Sequence, residues 1–126
     1  MTHVEIFEEV LRHYRETGEP PWEHYADDLV FETRGEVMGR QEYRGHEWFR
    51  RALADFGESW VAMRPELLEV SAPEDGCLLA EVRWHLRAHS GIELAVDEHW
   101  VVRMRDDKIA RLEQYANREE ALDAAS

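Results

Sequence analysis

Apolar residues near the N-terminus recur at three- and four-residue intervals, as Val4, Phe7, Val10, Leu11 and Tyr14. That period marks one face of a helix. Thr2 and Glu5 stand at capping-box spacing, which opens the helix, and Gly18 closes it. Pro20 and Pro21 predict the start of a short second helix, with Trp22 and Tyr25 turned inward and Asp27 and Asp28 breaking it. Leu29, Val30, Phe31, Glu32 and Thr33 read as a first strand. The Gly-punctuated stretch from Arg34 to Arg44 predicts a loop or a loose hairpin. Gly45 opens a third helix reaching about Glu58, with Trp48, Phe49, Ala52, Leu53 and Phe56 on one face.

Beyond Trp60 the period changes to two, the signature of strands. The first, from Trp60 to Val70, contains Pro65, which predicts a bulge or an edge position. Pro73 to Gly76 is a turn. In the next strand Leu78, Ala80, Val82, Trp84, Leu86 and Ala88 share one face, while Glu81, Arg83, His85, Arg87 and His89 share the other. Ser90 and Gly91 signal a hairpin into the strand Ile92 to Met104. Asp106 and Asp107 signal another, into Lys108 to Ala116. Asn117 and Glu120 are spaced as a cap for a short C-terminal helix. Consecutive hairpins make an antiparallel sheet, and helices grouped before it indicate an α+β fold with the helices on one face. A strongly twisted sheet would curl around those helices as a cone, whose open end is a natural small-molecule site. No repeat or linker divides the chain, so one domain is expected over residues 1–126.

One position breaks this pattern. On the strand from Ile92 to Met104 the even residues are Ile92, Leu94, Val96, Glu98, Trp100, Val102 and Met104. Glu98 interrupts an apolar face. Burying a polar group without a partner costs roughly 2–7 kcal/mol, so Glu98 requires water, partners or a proton. Two readings stand side by side: a pocket acid or base with its pKa raised by Val96 and Trp100, or a carboxylate satisfied by structural partners. His99 points to the opposite face and forms no dyad with it.

Composition narrows the partners. The 126 residues carry 28 acidic and 15 basic side chains, a formal net charge of -13. Such a field repels phosphate backbones and anionic lipid, so neither nucleic acid nor membrane is expected as a partner. The one cysteine, Cys77, forms no internal disulfide and fits a reducing compartment. The N-terminus lacks a secretory pattern and no apolar run spans a bilayer, so a cytoplasmic location is expected. The histidines show no ligand-like spacing, so neither a metal nor another cofactor is expected.

Three stretches, Tyr43 to Gly45, Val102 to Ile109 and Tyr115 to Leu122, together resemble a SnoaL-like protein of the nuclear-transport-factor-2-like superfamily. The resemblance runs over almost the whole chain. It implies the cone-shaped α+β fold and admits steroid isomerases, polyketide cyclases, dehydratases and non-catalytic modules alike. Asp107 departs from it, standing where the family usually has glycine. By resemblance to the steroid isomerase branch, Thr33 falls at the position of the aspartate base and Leu11 at that of the helix tyrosine. Glu98 falls on the sheet aspartate. One match of three does not reproduce that arrangement. The family's parity also turns Leu112, Gln114 and Ala116 inward and Arg111, Glu113 and Tyr115 outward.

The expected site is therefore an apolar pocket for a small, largely apolar ligand. Tyr14, Trp22, Tyr25, Thr33, Trp84, Trp100, Leu112 and Gln114 line it, and Glu98 is the candidate catalytic acid or base. For each aromatic the competing reading is plain core filling, and for Gln114 it is a backbone-satisfied amide. Catalysis there would be cofactor-free isomerisation, dehydration or cyclisation. The alternative is a non-catalytic binding or interaction module. In either case a homodimer is expected through the polar outer sheet face.

Overall fold

The computed structural model describes residues 1–34 and 41–126. Thr2 caps helix α1 (His3–Thr17), accepting from the Glu5 amide while the Glu5 carboxylate reaches back to Thr2. Ile6, Phe7, Val10 and Leu11 form its buried face, and Gly18 ends it at φ 75°. The predicted second helix is instead a single 3-10 turn, Trp22–His24. Tyr25 already belongs to strand β1 (Tyr25–Arg34), and Asp27 and Asp28 lie exposed within it. They occupy a bulge: β1 advances from Tyr25 to Val30 while its partner advances only from Ile109 to Arg111. The bulge removes two carboxylates from the ladder without ending the strand.

Strand β2 (Gln41–Arg44) pairs antiparallel with β1, so a hairpin is what the predicted loop or hairpin becomes; residues 35–40 lie outside the described residues. Gly45, at φ 82°, takes a left-handed turn that a side chain would resist, and α2 (Gly45–Ser59) follows. Phe49 and Ala52 are its buried residues. Trp48, expected on the same face, is 53% exposed and carries Arg51 over its ring instead.

The remaining strands are β3 (Trp60–Glu74), β4 (Cys77–Ala88), β5 (Glu93–Arg105) and β6 (Lys108–Tyr115). With β1 and β2 they form one curved sheet in the order β2-β1-β6-β5-β4-β3. All neighbours are antiparallel except β1 and β6. Pro65 lies on β3, an edge strand where a missing donor costs no ladder bond. The concave face holds the main core against α1 and α2, from Phe7 and Val10 to Val82, Trp100 and Leu112.

Two expectations about the faces are revised. The apolar face predicted from Ile92 onward is not buried throughout: Ile92, just before β5, and Leu94 within it are 61% and 48% exposed. Nor do all the helices lie on one face of the sheet. Helix α3 (Arg118–Ala125), capped by Asn117, packs Ala121 on Cys77, Val101 and Tyr115. Tyr115 is thus buried on the outside of the sheet, beside Glu32 and Glu113, which are largely buried with Arg111.

Candidate functional site

Glu98 is fully buried at the centre of β5, opposite Val82. Its Oε1 accepts from the indole N–H of Trp84 at 2.8 Å and of Trp100 at 3.2 Å. The strand pattern brings these three together: Trp84 is diagonal to Glu98 across the β4–β5 pair, and Trp100 is two residues along on the same face. The two indoles lie 6.0 Å apart, centroid to centroid. Helix α1 presses on both, through Phe7 against Trp100 and Tyr14 against Trp84, each edge-on at 6.2 Å. One shared carboxyl oxygen thereby fixes the orientation of two large flat side chains.

Those side chains wall a cleft between the sheet and the helices. Tyr14, Tyr25, Trp84, Trp100, Leu112 and Gln114 line it, as the sequence predicts. Counted out to its mouth, the space between lining atoms is about 510 Å³, but only about 40 Å³ admits the centre of a water-sized sphere. The smaller figure describes the free space: the cleft is narrow. Its rim is made by half-buried side chains, Leu53 and Phe56 of α2 and Met63 of β3. Polar atoms are few. Gln114 supplies an amide, and Tyr14 and Tyr25 supply phenols whose pKa values burial pushes up. Both phenols are therefore neutral hydroxyls near pH 7, able to donate.

Three predicted site residues lie elsewhere. Glu98 is behind the indoles and is not part of the cleft lining. Thr33 is fully buried deeper in β1, in register with Gln114 on one side and Gln41 on the other. Trp22 sits outside, in a surface groove of about 330 Å³ that shares Tyr14, Leu53 and Met63 with the cleft. There it packs on Tyr25, Phe49 and His46, and the Arg50 guanidinium lies 4.7 Å above its ring. His46 Nε2 bonds the carbonyls of Tyr25 and Ala26 at 3.2 and 2.8 Å, which ties the start of α2 to the β1 bulge.

The lining residues missed from the sequence include Val10, Leu11, Phe31 and Phe49. Val10, Leu11 and Phe49 read correctly as inward and Phe31 only as part of a strand, but periodicity cannot separate a residue that faces a cleft from one that fills a core. Arg50 carried no signal at all. Among the described residues no group of three or more His, Cys, Asp or Glu side chains could hold a metal ion. No helix there is long and apolar enough to cross a membrane.

The structure is similar to several solved ones, all below 25% identity, where likeness speaks for the fold alone. TerC co-crystallised with polyporic acid matches at 16% identity over 98% of this chain and 96% of that one, with a TM-score of 0.80. An NTF2-like protein of unknown function from Burkholderia pseudomallei matches at 12% identity over 98% and 97%, with a TM-score of 0.78. A Catenulispora acidiphila protein of ketosteroid isomerase-like fold, in complex with trimethylamine, matches at 14% over 96% and 92%, with a TM-score of 0.76. Curated protein sequences yield no match. The model of the SnoaL-like domain matches residues 22–112, from the 3-10 turn through the Leu112 wall of the cleft, and the chain belongs to that family.

Proposed function

We propose that the cleft binds a small, mainly apolar molecule, with the Gln114 amide and the Tyr14 and Tyr25 hydroxyls orienting it. The observation that carries this reading is the lining itself: nearly all apolar or aromatic, with its few polar groups converging from α1, β1 and β6. The narrow free space means that a ligand of bicyclic size enters by swinging the half-buried rim side chains Leu53, Phe56 and Met63. TerC, of the same fold, was co-crystallised with polyporic acid, which supports a small-molecule ligand here.

Binding is favoured over turnover by the place of Glu98. An acid or base must come within hydrogen-bond reach of the proton it moves, and Glu98 stands behind the cleft lining with its Oε1 held by two indoles. We assign it as a positioning residue for the cleft wall. Titration of tryptophan fluorescence with steroid- and terpenoid-like ligands tests the assignment. Glu98→Gln keeps one acceptor oxygen, so we expect saturable quenching to persist while stability falls by about 1 kcal/mol, the order of one weakened buried hydrogen bond. A variant that binds normally but loses a ligand's conversion, with kcat affected and KM unchanged, would make Glu98 the acid or base instead.

The outer face supports a second element of the reading, a homodimer. Away from α3 it carries paired charges, Arg83 with Asp97 at 2.7 Å and His85 with Glu66 at 2.7 Å, a mixed surface that can complement itself about a two-fold axis. Sedimentation equilibrium should report twice the 14.9 kDa chain mass, falling to one chain mass in Arg83→Glu. A native monomer contradicts the dimer and leaves the cleft untouched.

A further inference from the structure

The groove beside the cleft is built differently from the cleft, and the difference concerns charge. Tyr14, Leu53 and Met63 line both, so the groove lies directly beside the cleft and within reach of a molecule that protrudes from it. Arg50 stands there. Its guanidinium rests over the Trp22 ring at 4.7 Å, and no carboxylate among the described residues pairs with it. Arg15, Arg64 and Arg118 also lack a carboxylate partner among the described residues, but of these four only Arg50 lines the groove. Stacking on an indole holds a guanidinium by its flat face and leaves its N–H edge available, the edge that matches a carboxylate. The same stacking occupies the Trp22 face that would otherwise attract a ligand's ammonium group.

We infer that the ligand is an amphiphile with one anionic end: an apolar body in the cleft and a carboxylate on Arg50. This rests on the cleft being a binding site. Glu19 also lines the groove and opposes an anion, so the preference is set by the balance of Arg50 against Glu19. Both are exposed, which limits an ion pair to about 1 kcal/mol, or roughly fivefold in affinity.

Gly57, on the same groove wall, provides an independent handle. It is helical, and a Cβ added there meets nothing within 4 Å. A leucine in its place projects into the groove without disturbing the packing, and it suits a helix better than glycine.

The test is titration calorimetry with naphthalene-2-carboxylate and naphthalene-2-carboxamide, a pair of one shape and two charges. We expect the carboxylate to bind about fivefold more tightly, with the ratio shrinking as salt rises. Arg50→Gln should bring the ratio to about one, and Glu19→Gln should increase it. Gly57→Leu should weaken both probes while the melting temperature holds or rises. A merely structural role for Arg50 would weaken both probes and leave the ratio unchanged, which overturns the inference. Equal binding of the two probes by the native protein overturns it too, and leaves the cleft as a site for neutral ligands. Binding of neither overturns it together with the reading beneath it.

Discussion

At the scale of single residues the protein stakes most on buried polar groups, and Glu32, Glu98 and Glu113 are each held by named partners. Burial keeps the phenols of Tyr14 and Tyr25 protonated beyond the usual tyrosine range. Tyr115, buried under α3 and facing Glu113, is pushed up to about 12. These shifts have one sign. The folded chain retains protons that the unfolded chain releases near pH 10, so their contribution is intact below about pH 10 and is lost as pH rises toward the folded values. Thermal melts should therefore be level from about pH 7 to 9 and fall above about pH 10, less steeply in Tyr25→Phe. A melting temperature that stays level through about pH 11 contradicts the assignment. The inward place of Glu98 was legible from alternation alone, since one carboxylate stood in an apolar row. Its task was not, because Trp84 is distant in sequence and only the β4–β5 register brings its indole to Glu98.

At the scale of elements, turn chemistry decided how well local reading worked. The capping box at Thr2, the Pro65 edge strand and the hairpins at Gly91 and Asp106 follow from residue types with a fixed conformational preference. The Trp22 segment did not follow, because two prolines are as compatible with one 3-10 turn as with a helix, and the β1 bulge that absorbs Asp27 and Asp28 depends on β6. The β5–β6 hairpin holds a residual strain. Asp106 and Asp107 take φ 52° and 62°, a left-handed conformation that glycine adopts without cost and aspartate does not. Asp107→Gly should stabilise the fold by about 0.5 kcal/mol, less whatever the exposed contact with His3 contributes. Denaturant melts with an unchanged slope and a raised midpoint would bear this out. An unchanged or lowered midpoint would mean the His3 contact outweighs the strain.

At the scale of the molecule, three helices of the described chain divide between the two faces of one sheet. α1 and α2 line the concave side while α3 covers one end of the convex side. The concave side leaves a narrow, nearly apolar cleft whose rear wall, Trp84 and Trp100, is locked by Glu98. Sequence periodicity predicted the cone and most of the inward residues. It could not predict how much space remains among them, because free volume depends on side-chain packing across elements distant in the chain. The central claim is that this cleft receives an apolar ligand against the two locked indoles. The most direct measurement follows the indole N–H signals of the five tryptophans by nitrogen-15 NMR while naphthalene-2-carboxamide is added. Saturable shifts of Trp84 and Trp100 are expected, with Trp48, outside on α2, unmoved. Saturable shifts confined to Trp48, or no shift at Trp84 and Trp100 up to the probe's solubility, would contradict binding in the cleft.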